Sequence, residues 1–169
     1  MLKQIVAVTA RKNGIGIKLP VALILIYDKR AVSLRVGNGM TLPYIDNDAN
    51  QRVAQILRAE SLDGGLTWSQ PKPCGILNNE SKLDVISWDK ETILMAYNDT
   101  PETDWHERSP LTLAYSKDEG LTWQNLITLA PAPGNKCQPA MCRDAQGRLN
   151  VIYMHRHTAI EHLVLEITD

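Results

Sequence analysis

The sequence predicts an all-β fold built from repeated units, a partial β-propeller with about two and a half to three four-stranded blades. An eight-residue pattern, Ser-x-Asp-x-Gly-x-Thr-Trp, occurs twice, and its second copy begins 55 residues after the first. Short β-rich runs separated by Gly, Pro, Asn and Asp clusters recur along the chain, whereas helical periodicity is hard to find. An internal repeat of about this period is typical of propeller blades.

The repeated pattern has the composition of a tight turn. Its fixed positions are Ser61, Asp63, Gly65, Thr67 and Trp68, then Ser116, Asp118, Gly120, Thr122 and Trp123. Each copy follows a strand-like run and precedes a second apolar stretch, so it lies where a hairpin reverses. Ser and Asp side chains bind backbone N–H groups in such turns, and Gly adopts φ > 0 without steric cost. We expect the Trp to fold under the hairpin, and we interpret the pattern as a structural clip.

Residues 21–169 divide into propeller units around the two copies, and residues 1–20 form a separate N-terminal segment. The first unit covers residues 21–76. The second covers residues 83–130, with strands at 83–88, 92–97, 111–115 and 125–129 and a long insertion at 98–109. The third begins at Gln138 and has three strands, which brings the total to about eleven. Residues 2–9 also read as a strand, and they are a candidate for the missing fourth strand of the third unit.

Composition and charge narrow the class of protein. The chain has 169 residues, of which 44% are hydrophobic and 22% charged, as in soluble globular domains. The formal net charge of -1 provides no basic stripe, so we expect no nucleic-acid partner. The longest apolar run, residues 21–27, is far shorter than the ~20 residues that cross a bilayer, and it lacks a signal-peptide cleavage site. We therefore expect no membrane span and a cytoplasmic location, with secretion as the open alternative.

Neither cysteines nor histidines form a recognisable metal motif. The cysteines are Cys74, Cys137 and Cys142. Because their spacing is not that of a metal site, we interpret them as free thiols. The C-terminal histidines are His155, His157 and His162. The first two would point to one face of a strand, but zinc spacing is missing, so we interpret all three as solvated or packed side chains. No metal or cofactor is expected.

The repeated pattern resembles the Asp-box, or BNR repeat, of sialidases and their relatives. Further blocks are similar to BNR-like predicted neuraminidases, and these blocks are residues 79–84, 92–98, 108–114, 139–140, 153–156 and 160–162. The resemblance covers about residues 50 to 169. It implies a propeller of the sialidase type, which has six blades when complete. The chain would then be the C-terminal part of such a propeller, or a homo-oligomer would cover its open blade edges.

The resemblance also implies candidate site residues. Arg108 and Arg156 lie in blocks that would hold a substrate carboxylate, since a guanidinium meets a carboxylate through two parallel hydrogen bonds. Asp84 matches the Asp of the family's Asn-x-Ser-Gly-x-Asp block and is the candidate general acid. That block begins at Asn79, a candidate substrate-binding residue, and has Lys82 in place of Gly.

Each candidate also has a plainer interpretation. The arginines are equally typical of a solvated surface. Asp84 could accept backbone hydrogen bonds in a turn, and Glu80 is an alternative carboxylate. Trp105, in the polar loop 103–108, is the candidate for stacking on a sugar, because a large aromatic residue in a charged loop is hard to explain as core.

The tyrosine nucleophile implied by the resemblance is missing. The family's Tyr-Pro-Ala appears here as Gln138-Pro139-Ala140, and an amide cannot form the covalent glycosyl intermediate of retaining glycosidases. We expect Tyr97 and Tyr153 to pack in or beside the core, so neither is a candidate nucleophile.

Two functions follow from these observations. The first is a sialidase-like glycoside hydrolase domain, related to exo-α-sialidases or neuraminidases, that recognises a sialylated or other acidic glycan and need not be active as a truncated chain. The alternative is a non-catalytic propeller fragment that binds glycans or protein partners. Residues 5–20 also resemble the opening of dihydrofolate reductases, but a reductase would bind NADPH at residues 14–16, and we expect no such binding.

Overall fold

The part of the chain that the computed structural model describes contains eleven β-strands and no helix. That part is residues 23–27, 30–36, 55–63, 66–79, 81–100 and 106–167, with the backbone alone for residues 23–36. The strands are β1 (Leu23–Tyr27), β2 (Arg30–Val36), β3 (Gln55–Ser61), β4 (Lys72–Leu77), β5 (Asp84–Ser87), β6 (Ile93–Asn98), β7 (Leu111–Ser116), β8 (Gln124–Ala130), β9 (Lys136–Arg143), β10 (Leu149–His155) and β11 (Ala159–Leu165). The predicted all-β class is confirmed.

The strands form three antiparallel sheets in which each strand pairs with its neighbour in sequence. Their orders are β1-β2-β3-β4, β5-β6-β7-β8 and β9-β10-β11. The first strands of the sheets approach one another, because β5 contacts both β1 and β9. Successive four-stranded sheets with neighbouring first strands are the arrangement of a β-propeller. The predicted partial propeller of two four-stranded blades and a third, three-stranded one is therefore confirmed.

The strands of the three sheets lie within residues 23–77, 84–130 and 136–165. The predicted insertion is the β6–β7 connection, residues 99–110. The N-terminal segment, residues 1–20, lies outside the described residues, so its role in completing the third blade stays a prediction. The outward face of the third sheet carries three exposed aliphatic side chains, Ile152, Ile160 and Val164. Association of copies through open blades likewise stays a prediction.

The core lies between the sheets, and β6 is buried along its whole length. Because successive strand residues point to opposite faces, Met95 packs with Ile56 of the first sheet, whereas Leu94 packs with Val151 of the third. The continuous apolar run Ile93 to Tyr97 is what a strand covered on both faces requires. The strand β6 of the middle sheet is thus covered on both faces by the neighbouring sheets.

Both copies of the repeated pattern form the turn between the third and fourth strands of a sheet. In the second copy, Asp118 Oδ1 accepts hydrogen bonds from Thr122 N at 2.8 Å and from Ser116 Oγ at 2.7 Å, and Asp118 Oδ2 accepts one from Thr122 Oγ1 at 2.5 Å. Gly120 adopts φ +81°. The Trp123 indole donates to Gly120 O at 3.1 Å and packs against the core of the first two sheets. Each residue of the pattern therefore closes or covers the turn.

The first copy repeats the same contacts. Asp63 Oδ1 accepts from Thr67 N at 2.9 Å and from Ser61 Oγ at 2.7 Å, and Asp63 Oδ2 accepts from Thr67 Oγ1 at 2.6 Å. These hydrogen bonds, the one from the Thr67 hydroxyl above all, hold the pKa of Asp63 far below its usual range. Trp68 is half-buried, and Gly65 lies outside the described residues. The interpretation of the pattern as a structural clip is confirmed.

Candidate functional site

The two ends of the strands carry different connections. Since neighbouring strands run antiparallel, connections alternate between the ends. One end carries the Asp-box turns together with the β5–β6 and β9–β10 connections, and Arg143 Nη1 donates to Trp88 O there at 3.0 Å. The other end carries the described residues 78–79, 81–83, 99–100, 106–110, 131–135 and 156–158, which lie between sheets or between second and third strands. We call this second end the inter-sheet face.

The structure places the predicted site residues that it describes on the inter-sheet face. Asn79 lies in the β4–β5 connection, Asp84 begins β5, Arg108 lies in the β6–β7 connection and Arg156 in the β10–β11 turn. Trp105 lies outside the described residues, so sugar stacking by this side chain stays a prediction. The Asp-box turns are at the opposite end, which separates the structural clips from the candidate site.

Asp84 joins the second sheet to the third. Its Oδ2 accepts a hydrogen bond from Met141 N on β9 at 2.6 Å. Burial raises the pKa of Asp84, and the hydrogen bond from Met141 and the charge of Lys82 oppose that rise. The hydrogen-bond donor to Asp84 therefore lies on a strand of the neighbouring sheet rather than in a turn. A carboxyl group with a raised pKa has the property that a general acid needs.

Substitutions of Asp84 separate its charge from its hydrogen bond. We expect Asp84→Ala to lower the free energy of unfolding by about 1–3 kcal/mol, because Met141 N loses its acceptor. Asp84→Asn keeps an acceptor and removes the partly buried charge. Because the folded-state pKa is raised, the wild type loses stability as pH rises from the unfolded pKa through the folded one. Urea unfolding from pH 3 to 8 should show the Asn variant gaining on the wild type as pH rises; a constant difference would contradict this.

Several side chains on this face carry buried polar atoms that have no hydrogen-bond partner. Within the described residues, Asn78 Nδ2 and Oδ1, Asn79 Nδ2, Asn98 Oδ1 and Arg108 Nε have none. Asn79 is only 5% exposed, and its Oδ1 accepts from Ser81 Oγ at 2.5 Å. Buried polar atoms normally find a partner in protein, water or ligand. Asn79 and its neighbours therefore form a polar layer beneath the surface of the face.

The backbone carbonyl group of Arg108 is held by hydrogen bonds from two other residues. Arg108 O accepts hydrogen bonds from Lys136 N at 2.9 Å and from Asn98 Nδ2 at 2.9 Å. Asn98 Nδ2 also lies 2.8 Å from Lys136 O and 3.3 Å from Pro110 O. The β6–β7 connection is thus tied to the first strand of the third sheet.

Arg156 lies in a constrained turn. Arg156 and His157 have φ of +52° and +56°, as the two central residues of a type I′ hairpin turn require. Thr158 N donates to His155 O at 3.1 Å to close the turn, and Arg156 N donates to Asn135 O at 2.8 Å. Because left-handed φ is unfavourable for residues with a Cβ, this turn is held in place by its surroundings.

The predicted alignment of His155 and His157 on one strand face is wrong. The strand β10 ends at His155, and His157 lies in the turn that follows. His155 Nδ1 lies 3.1 Å from Glu161 Oε1, and His162 Nε2 lies 2.9 Å from Asn150 Oδ1. No group of His, Cys, Asp and Glu side chains that could hold a metal ion occurs in the described part of the chain. The three cysteines are free thiols, as expected.

A cleft of about 300 Å³ opens between the β6–β7 connection and the β10–β11 turn. It is lined by His106, Glu107, Pro133, Gly134, Asn135, Arg156 and His157. Asn79, Asp84 and Arg108 do not contribute to this lining. Arg156 therefore lines this cleft, whereas Asp84 lies at the start of β5 and does not line it.

Sequence reasoning did not identify Glu107. Glu107 Oε2 accepts a hydrogen bond from Gly134 N at 2.9 Å across the cleft. The polar loop at 103–108 contains this residue, but its composition does not distinguish Glu107 from the other polar residues of the loop. Contact with Gly134, 27 residues away, is a tertiary feature that the spacing of motifs does not reveal.

The position implied for a nucleophile holds an exposed amide. Gln138 has φ +55° and lies at a bulge in β9, where the pairing with β10 shifts between Ile152 and Met154. Tyr97 and Tyr153 are 3% and 7% exposed, so their predicted place in or beside the core is confirmed. Burial raises the pKa of both phenols. Neither tyrosine is available as a nucleophile on the surface of the face.

Comparison with known proteins agrees with this architecture. A family model described as a BNR repeat-like domain matches residues 46–153. No curated protein matches the chain. Across the residues that the structure describes, no helix is long and apolar enough to cross a membrane. The match covers more than half of the sequence and includes both Asp-box turns, so the chain belongs to the family of BNR repeat-like domains, which are typical of sialidase-type folds.

Proposed function

We propose that this chain recognises an acidic sugar at the inter-sheet face, as part of a sialidase-like domain. The observation that carries the proposal is the common location of Asp84, Arg108 and Arg156 on that face, with both Asp-box turns at the opposite end. Two arginines on one surface favour a ligand with a carboxylate. A sialylated or other acidic glycan fits this chemistry.

The carboxyl groups of Asp84 and Glu107 on this face each already accept a backbone hydrogen bond. Burial raises the pKa of Asp84, which favours its neutral form, and Glu107 accepts a backbone hydrogen bond from Gly134. The unpaired atoms of Asn78, Asn79 and Arg108 add donors beneath the surface.

Hydrolysis of a glycosidic bond is the second candidate function, and the raised pKa of Asp84 favours it. In that reaction Asp84 would donate its proton to the leaving glycosidic oxygen while a water molecule attacks the anomeric carbon directly, and the proton that this water loses would pass to solvent, from which Asp84 is reprotonated. A covalent intermediate is not part of this proposal, because Gln138 occupies the position implied for the nucleophile. Recognition without turnover requires fewer groups, and the geometry supports it better.

Two measurements on the purified chain test these functions. Binding of sialyllactose is expected, and Arg108→Ala should weaken it at least tenfold, whereas lactose should bind no better than the background. Release of a fluorophore from an aryl sialoside is expected to be absent. Release that Asp84→Asn abolishes would instead establish the hydrolase. Failure of every acidic sugar to bind would refute acidic-sugar recognition. Arg148→Ala, at the Asp-box end, is the matched control.

A further inference from the structure

We propose that the cleft between the β6–β7 connection and the β10–β11 turn is a subsite for a single uronic-acid-like ring, with Arg156 holding its carboxylate and Glu107 accepting from its hydroxyls. The proposal rests on the acidic-sugar recognition proposed above and assigns it a place and a residue, Glu107. The cleft is separate from Asp84, Asn78, Asn79 and Asn98, none of which lines it.

The walls of the cleft are fixed before any ligand arrives. Gly134 N donates to Glu107 Oε2 at 2.9 Å, and Arg156 N donates to Asn135 O at 2.8 Å. Lys136 Nζ donates to the carbonyl oxygens of Pro131 and Pro133, which holds the β8–β9 connection between the other two walls. A pre-formed site loses less conformational entropy on binding than a mobile one.

The charges of the cleft fit an anion that carries hydroxyl groups. Arg156 is exposed, and its Nε would lie 3.8 Å from a Cβ placed on Gly134, so the guanidinium borders the floor of the cleft. One oxygen of Glu107 accepts from Gly134 N, and a carboxylate has further lone pairs for hydroxyl donors. A bare anion meets repulsion from Glu107, and a neutral sugar leaves Arg156 without a partner. The cleft therefore discriminates against bare anions and against neutral sugars at the same time.

The size of the cleft sets the size of the ligand. About 300 Å³ is at the lower end of the volumes of small-molecule sites. One sugar ring matches that volume better than an oligosaccharide does. The left-handed φ at both Arg156 and His157 is a form of local strain that is common at ligand sites, and it presents both side chains to the cleft.

Calorimetric titration of the whole chain with sodium glucuronate, glucose and sodium acetate tests the assignment. Glucuronate is expected to bind at least tenfold more tightly than glucose or acetate. Arg156→Ala should remove the preference for glucuronate over glucose. Glu107→Gln should weaken glucuronate binding roughly tenfold, the size expected for loss of a hydrogen bond to a charged acceptor. The matched controls are Arg148→Ala and Glu91→Gln at the Asp-box end, and both should bind as the wild type does. Circular dichroism spectra confirm that each variant is folded.

The outcomes distinguish this inference from the proposed function. If acidic sugars bind and Arg108→Ala weakens them, but the Glu107 and Arg156 variants bind as the wild type does, the subsite is wrong and acidic-sugar recognition stands. If glucose or acetate competes equally with glucuronate, the assignment of the cleft to a hydroxylated carboxylate is also wrong. If no acidic sugar binds the wild type, both proposals fall.

Discussion

Asn98→Asp is expected to lower the free energy of unfolding by roughly 3–5 kcal/mol, the cost of an uncompensated buried charge. Asn98 is fully buried, and its Nδ2 donates toward three carbonyl oxygens, those of Arg108, Pro110 and Lys136. Aspartate would replace this donor with an oxygen and direct a negative charge at the same three acceptors. The side chain changes little in size, so the loss reports the hydrogen bonds and the charge.

Urea unfolding followed by tryptophan fluorescence measures this effect. The difference between Asn98→Asp and the wild type should shrink as pH falls toward 4, because the buried carboxyl has a raised folded-state pKa and protonation removes its charge. Gln146→Glu makes the same amide-to-acid change at an exposed position and should alter the free energy by less than about 0.5 kcal/mol. A small effect of Asn98→Asp at neutral pH would show that Asn98 does not tie the two sheets together.

Leu94→Ala and Met95→Ala should each lower the free energy of unfolding by about 2–5 kcal/mol. The two residues are consecutive on β6 and fully buried, but they pack in different clusters, Leu94 toward the third sheet and Met95 toward the first. Neighbouring strand residues usually differ in burial when one face of a sheet is solvated. A large loss of unfolding free energy at both Leu94 and Met95 therefore requires that β6 be covered on both faces.

The double variant and a surface control sharpen this test. Because the two side chains belong to separate clusters, their effects should add to within about 0.5 kcal/mol. Ile127→Ala, on the outer strand β8 where the side chain is 50% exposed, should cost less than about 1 kcal/mol. If either Leu94→Ala or Met95→Ala had no effect, one face of the second sheet would not be covered as described.

The architecture was predictable because it depends on local signals. The pairs Asp63 with Thr67 and Asp118 with Thr122 close their turns over four residues, so the pattern itself specifies the hairpin. The unbroken apolar run at 93–97 indicates a strand buried on both faces. The strand end at His155 was not predictable in this way, because two residues with large side chains adopt the left-handed conformation there.

The candidate site was predictable only in part. Motif positions identified Asp84, Arg108 and Arg156, and all three lie on the inter-sheet face. The hydrogen bond between Asp84 and Met141 spans 57 residues and depends on how two sheets pack. The separation of Arg156 from Asp84 and the contact of Glu107 with Gly134 have the same origin. Such contacts between blades leave no periodic trace in the sequence.

Amide chemical-shift mapping with sialyllactose tests the central claim, acidic-sugar recognition on the inter-sheet face, most directly. The backbone amides of Asp84, Arg108, Gly134 and Arg156 are expected to shift in a saturable manner. Amides of the Asp-box turns, such as those of Thr67 and Thr122, should stay unchanged. Saturable shifts confined to the Asp-box end, or no saturable shifts at all, would contradict the account.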